Sequence, residues 1–169
     1  MKPFIRKLEG QDISQIAEAF QQLGWNKPAS QYEEYLKEQS LNLRDVFVAF
    51  INERFAGYIT LCWESEYPPF YDMRIPEIKD LNVLPHYRRQ GIATQMMDKV
   101  EKEIAKRFNL AGIGVGMGAE YGAAQRMYVL RGYIPDGKGI YFKSHFPQYG
   151  ETVSVDDDLV LFFTKQLTR

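Results

Sequence analysis

The sequence predicts an α+β or α/β layered fold built around a mixed sheet. Strand-like runs alternate with stripes of helical period in the order β-α-α-β-β-β-α-β-α-β-β. The 169 residues amount to one domain's worth of chain. No internal repeat, low-complexity tract or long linker divides them, so residues 1–169 are expected to form a single domain.

Phe4 to Leu8 reads as a short first strand. Asp12 precedes Ile13, Ile16, Ala17, Phe20 and Leu23, a helical spacing, and Asp12 with Gln15 resembles a capping box. Gly24 ends that helix. Ser30 with Glu33 predicts a second box, opening a helix with Tyr32, Tyr35 and Leu36 that ends near Glu38. Val46–Ile51 and Phe55–Trp63 are strands by composition, and the short polar link Asn52-Glu53-Arg54 suggests a hairpin. Pro68 and Pro69 forbid a central strand, so 64–74 reads as a loop. Ile75 to Leu84 is the next strand. Gln90 to Phe108 is the clearest helix: Ile92, Ala93, Met96, Met97, Val100, Ile104 and Phe108 share one stripe. Asp98/Lys102 and Glu103/Arg107 are spaced for ion pairs on its other face. Leu110–Val115 is a small strand, and Ala123 to Leu130 a further helix stopped by Gly132. Gly137 and Gly139 mark a turn-rich stretch, and Leu159–Phe163 is a final buried strand.

Composition narrows the function. With 21 Lys+Arg against 22 Asp+Glu the net charge is −1, so the basic field that marks nonspecific nucleic-acid binding is missing. No apolar run approaches the ~18 residues of a membrane span. The start, Met1-Lys2-Pro3-Phe4-Ile5-Arg6-Lys7, turns charged too early for a secretory signal. The single cysteine, Cys62, closes no internal disulfide and fits a reducing compartment. A cytoplasmic protein without nucleic-acid or membrane partners is expected, with no metal site; monomer and homodimer are both open.

The sharpest signal is Leu81-Asn82-Val83-Leu84 running through Pro85-His86-Tyr87-Arg88-Arg89-Gln90-Gly91-Ile92-Ala93 into the long helix. A helix start presents unpaired N–H groups and about half a positive charge, which together hold a phosphate. Gly91 lets a ligand approach the backbone, Ala93 keeps the first turn slim, and Arg88 and Arg89 add charge for a pyrophosphate or ribose phosphate.

Val83-x-Pro85-x-Tyr87-Arg88-x-x-Gly91-Ile92-Ala93 resembles the pyrophosphate signature of the GNAT superfamily of acyl-CoA-dependent N-acyltransferases. Ala124-x-x-x-Tyr128-x-x-x-Gly132-Tyr133 is similar to that family's second motif. The resemblance implies an α/β/α arrangement with a mostly antiparallel sheet of six or seven strands and about four helices. It implies acetyl-CoA as acyl donor, bound by Leu81, Asn82 and Val83 along the pantetheine arm. Arg88, Arg89, Gln90, Gly91, Ile92, Ala93 and Thr94 would wrap the pyrophosphate. One departure stands out: an asparagine common in the family is Tyr121 here.

Such a reaction needs a base for the incoming ammonium, an acid for the departing thiolate and an N–H for the carbonyl oxygen. The resemblance assigns the acid to Tyr128, the N–H to Val83 and the base to Glu77. Strand parity puts 77, 79, 81 and 83 on one face and Asp80, the second candidate, on the other. Glu64 and Glu66 could act through water. The base of the ribosomal-protein-acetylating branch falls on Gly116 and does not transfer. Trp25, Tyr32, Tyr35, Trp63, Tyr67, Phe70 and Tyr71 are candidates for an acceptor cleft taking a small-molecule or peptide amine. The alternative is a non-catalytic CoA-binding or interaction module.

Other signals read more plainly. Gly114-x-Gly116-x-x-Ala119 fits a dinucleotide fingerprint, but too little chain follows to complete such a domain. Asp156-Asp157-Asp158 reads as a solvated turn.

Overall fold

The computed structural model describes residues 2–168. Its strands are β1 (Phe4–Lys7), β2 (Arg44–Ile51), β3 (Arg54–Cys62), β4 (Glu77–Val83), β5 (Leu110–Gly116), β6 (Ile134–Phe142) and β7 (Leu159–Gln166). Its α-helices are α1 (Ile13–Gln22), α2 (Ala29–Ser40), α3 (Pro68–Met73), α4 (Ile92–Ala105) and α5 (Gly122–Leu130). They surround one seven-stranded sheet of order β1-β2-β3-β4-β5-β7-β6. The α+β architecture and the mostly antiparallel sheet are as expected; β4 and β5 form its parallel pair.

The fifth helix is α3, in the stretch expected to be a loop. Pro68 and Pro69 occupy its first turn, where a missing N–H costs nothing, so prolines that exclude a strand start a helix instead. Asn52 and Glu53 both carry positive φ (49° and 63°), the geometry of a tight two-residue hairpin turn between β2 and β3. Gly137 and Gly139, at φ 81° and 80°, lie inside β6, which shifts register between Pro135 and Ile140.

Neither capping box forms. The Asp12 carboxylate accepts from Arg6 at 2.7 and 2.8 Å and from the Glu9 N–H at 2.8 Å, which leaves it no part in capping α1. Helix α2 starts behind Pro28, one residue ahead of Ser30. On α4 the charges choose other partners: Asp98 pairs with Arg131, and Glu103 with Lys99 and Lys106. Arg107 lies beyond the helix end and stacks over Trp63 at 4.5 Å.

Two cores sandwich the sheet. Ile92, Met96, Met97, Val100 and Ile104 of α4 pack on Phe47, Ile59, Leu61, Ile78 and Ile113, which is the apolar stripe foreseen for that helix. On the opposite face Ile16, Phe20 and Tyr32 of α1 and α2 meet Val46, Val48 and Tyr58. Among the described residues, no helix is long and apolar enough to cross a membrane.

Two irregularities prepare the site. First, β4 pairs with β5 only at Glu77–Gly112 and Ile78–Ile113. Beyond Ile78, β4 stays with β3 while β5 stays with β7 along its whole length, so the two strands part. Second, β4 is bulged. Thr60 pairs with Lys79 and Tyr58 with Asn82, so two residues, Asp80 and Leu81, stand opposite Ile59. Asp80 takes φ 53°.

Candidate active site

The loop into α4 is open. Arg88, Arg89, Gln90, Gly91 and Thr94 are exposed, Ala93 is half-buried, and only Ile92 turns its side chain into the core. The N–H groups from Arg89 to Thr94 have no protein acceptor among the described residues. Gly91 sits at φ 79° with nothing near its missing Cβ. Its need for glycine is conformational, since an L side chain is disfavoured there. The resulting row of free donors at a fourteen-residue helix start suits a diphosphate. Arg88 folds back: its Nε donates to the Val83 carbonyl at 3.0 Å, and its guanidinium lies 5.8 Å from the Trp25 ring. Gln90 donates to the His86 carbonyl.

The bulge reverses the strand parity. Ile78, Leu81 and Val83 all pack toward α4. Asp80 and Asn82 turn to the other face, where the Asn82 amide meets Asp80 and the Tyr58 hydroxyl. The expectation that Leu81 and Val83 share the face of Glu77, with Asp80 opposite, therefore fails. An unbulged strand was assumed, and one extra residue flips every side chain beyond it. The Asp80 carboxylate collects hydroxyls from Tyr58 (2.5 Å) and Tyr35 (2.8 Å), the Lys27 ammonium (3.2 Å) and the amides of Gln31 (3.2 Å) and Asn82 (2.7 Å). These donors tie the α1–α2 connection and α2 to the bulge. Gly57 completes it from β3: a Cβ there would stand 2.4 Å from the Asn82 carbonyl oxygen. Sequence reasoning passed over Gly57, although a lone glycine inside an aromatic strand signals close backbone approach.

Where β4 and β5 part, a cleft of about 590 Å³ opens, lined by Tyr67, Glu77, Lys79, Asp80, Gly114, Gly116, Tyr121, Tyr141, Asp157 and Asp158 among others. The β5 glycines make its wall. A Cβ at Gly114 would strike Val160 and Phe162, and one at Gly116 would strike the Tyr121 ring. The supposed dinucleotide fingerprint is thus clearance for side chains. Gly112 makes the same room for Phe70.

Glu77 is 4% exposed. Ser65 Oγ donates to its Oε1 at 2.5 Å and itself accepts the Tyr67 N–H at 3.0 Å. Among the described residues no hydrogen bond reaches Oε2. Since no buried side-chain oxygen lacks a partner among the described residues, Oε2 is open to the cleft. Burial pushes the Glu77 carboxyl above the usual carboxylate range, with the positive charge of Lys79 and the Ser65 hydrogen bond pulling back. Such a carboxylate holds and returns a proton nearer neutrality than a surface glutamate does.

Tyr128 on α5 has a buried ring, 6% exposed. Burial raises its hydroxyl to about 12. That oxygen makes no hydrogen bond among the described residues and is not sealed, so its tip meets solvent. It stays protonated at neutral pH, as an acid for a thiolate must.

Of the aromatic candidates, Tyr67 lines the cleft and Tyr71 a neighbouring cavity, which Glu64 and Glu66 also line. Tyr32 is sealed in the core, Tyr35 serves Asp80, and Trp25 and Trp63 stack on Phe20 and Phe108. Asp157 and Asp158 do more than solvate a turn. They reach the cleft from the β6–β7 connection, and Tyr121 donates to Asp157 at 2.5 Å. Thirty-six residues separate that pair, and nothing local in the sequence announces it.

The profile of the Acetyltransferase (GNAT) family matches residues 11–133, which span the described loop, bulge, cleft wall and Tyr128. This chain belongs to that family. It is an acyl-CoA-dependent acetyltransferase. An N-alpha-acetyltransferase of Saccharolobus solfataricus is 28% identical over 151 residues, covering 81% of this chain and 89% of that one. Among solved structures, an N-acetyltransferase from Staphylococcus aureus Mu50 superposes with a TM-score of 0.72 at 18% identity, covering 99% of this GNAT chain and all of the other. The protein yncA of Salmonella typhimurium, solved with its cofactor acetyl-CoA, gives 0.71 at 14% identity, covering 100% and 96%. At such identities the likeness is one of fold.

Proposed function

We propose that this GNAT enzyme moves an acetyl group from acetyl-CoA to a primary amine, of a small molecule or a peptide, by direct attack in a ternary complex. The observation that carries the proposal is the row of unpartnered N–H groups from Arg89 to Thr94, in the loop that follows the end of β4 no longer paired with β5. The loop holds the diphosphate. The pantetheine arm lies along Leu81, Asn82 and Val83 in the gap that β5 vacates, and the thioester reaches the cleft.

Glu77, through its open Oε2 or a water on it, takes a proton from the ammonium. The amine nitrogen bonds to the thioester carbon, and the Val83 N–H is the candidate donor to the developing oxyanion. The C–S bond breaks, the Tyr128 O–H protonates the leaving thiolate, and the second proton that the amine nitrogen sheds as the amide forms restores the Tyr128 hydroxyl. Atoms balance as amide, free CoA and one proton released from Glu77. Cys62 is buried in β3 and its thiol is raised to about 11, which disfavours a covalent acyl-enzyme route. Calorimetry with CoA, then thiol release from acetyl-CoA with a panel of amines, tests the proposal. CoA binding with amine-dependent thiol release supports it. Absence of CoA binding by folded protein refutes it, and binding without turnover points to the non-catalytic module.

A further inference from the structure

Another buried polar residue stands behind Glu77. Ser65, 2% exposed, lies in the connection between β3 and α3. Its Oγ accepts the Tyr67 N–H at 3.0 Å and donates to Glu77 Oε1 at 2.5 Å. A serine hydroxyl has one hydrogen, and here the carboxylate receives it. Tyr67 is itself clamped from the far wall of the cleft. Its ring stacks on Phe162 of β7 at 3.6 Å, and its O–H donates to Asp136 of β6 at 2.7 Å. Pro68 begins α3 directly after it. The Ser65 hydroxyl therefore rests on a frame drawn from β6, β7 and α3.

The terminal torsion of a glutamate has a broad, nearly two-fold energy well, so an unrestrained carboxylate turns readily. Pinning Oε1 stops that turning and leaves Oε2 as the oxygen presented to the cleft. We infer that Ser65 is a positioning residue for the reaction: anchored by the Tyr67 N–H, it holds Oε1 of Glu77 so that Oε2 meets the incoming ammonium. The inference rests on the acetyl-transfer reading above, with Glu77 as its base. The same hydrogen bond favours the ionised carboxylate against the burial that opposes it. Other titratable and charged groups also face Glu77. They are Lys79 and Asp80 on β4, Cys62 on β3, Arg44 on β2, Glu66 beside Ser65, and Tyr67, Tyr121, Tyr141, Lys143, Asp157 and Asp158 around the cleft. Ser65→Ala keeps every one of them, so a change in the titration of the base reports the lost hydrogen bond.

The test compares thiol release by the unsubstituted protein, Ser65→Ala, Glu77→Gln and the double variant, using acetyl-CoA and the fastest amine of the panel. Ser65→Ala should lower kcat by about tenfold to a hundredfold, the effect of a slightly misplaced reacting group. KM for acetyl-CoA should stay within about twofold, since the phosphate loop is untouched. The acid limb of the pH profile should move to higher pH, because losing a bond to the charged form raises the carboxyl. The titration of the amine itself is common to both proteins and cancels. In the Glu77→Gln background Ser65→Ala should change the rate little, as the base it positions is gone. Melting curves check the fold; if Ser65→Ala does not fold, Ser65→Cys, which keeps the bulk and weakens the donor, takes its place. An unchanged kcat, an unmoved acid limb, or a loss of equal size in the Glu77→Gln background overturns the inference and leaves acetyl transfer standing. Glu77→Gln at full rate removes the base, and this inference with it. No thiol release by the unsubstituted protein with any amine removes the acetyl-transfer reading itself.

Discussion

Glu77→Gln should steady the fold, by the burial of the carboxylate, and slow the enzyme, by the proposed role of Glu77 as base. The carboxylate is 4% exposed, and among the described residues Ser65 is its hydrogen-bond donor. The Gln carbonyl oxygen accepts that bond equally well, so the substitution removes charge and basicity but little packing. Burial raises the folded-state pKa above the unfolded value of about 4.3. The folded protein therefore favours the protonated acid. That contribution is fully present below the unfolded pKa and is lost as pH rises through the folded pKa. The Gln variant has no such loss. Its advantage in melting temperature should be small near pH 4, grow with pH and then level off. Each pKa unit of elevation corresponds to about 1.4 kcal/mol, or roughly 3–5 °C for a chain of this size. In parallel, kcat should fall by about 10²- to 10⁴-fold, the usual worth of a positioned base. Thermal unfolding of both proteins from pH 4 to 9, with thiol release at pH 7.5, measures the two effects. An activity loss under tenfold would remove Glu77 as base. A stability difference that is flat with pH, or of opposite sign, would refute the argument from burial.

Tyr128→Phe should reduce kcat by about 10²- to 10⁴-fold while moving stability by less than about 1 kcal/mol, because the lost hydroxyl faces solvent rather than a protein acceptor; a large drop in melting temperature would instead mark a structural tyrosine. Gly91→Val should weaken CoA binding through the strain of φ 79° at the helix start, and calorimetry showing unaltered affinity would move the diphosphate elsewhere. Asp80→Ala should cost about 2 kcal/mol or more, seen as a fall of roughly 4–8 °C, since it removes the acceptor of the buried Tyr58 O–H and the ion-pair partner of Lys27. Gly57→Ala should destabilise as well, because its Cβ meets backbone that cannot step aside, and an unperturbed melting curve would contradict the tight β3–β4 approach.

What the sequence determined by itself was local and periodic. The apolar stripe of α4, the proline and glycine ahead of it, and the hairpin at Asn52-Glu53 are near-neighbour patterns. They made the candidate phosphate loop and, α3 apart, the order of elements legible before any contact was known. Prolines and capping residues were read less well: Pro68 and Pro69 start a helix, and Asp12 is claimed by Arg6 rather than by α1. Only the tertiary structure decided which way β4 faces. Its bulge depends on Gly57 across the strand pair and on donors from Lys27, Gln31, Tyr35 and Tyr58, all distant in sequence, and a single inserted residue reverses every orientation after it. The acidic lining of the cleft was hidden for the same reason. A net charge of −1 sums over the whole surface, whereas Glu66, Asp157 and Asp158 come from distant parts of the chain to line one cleft where β4 parts from β5.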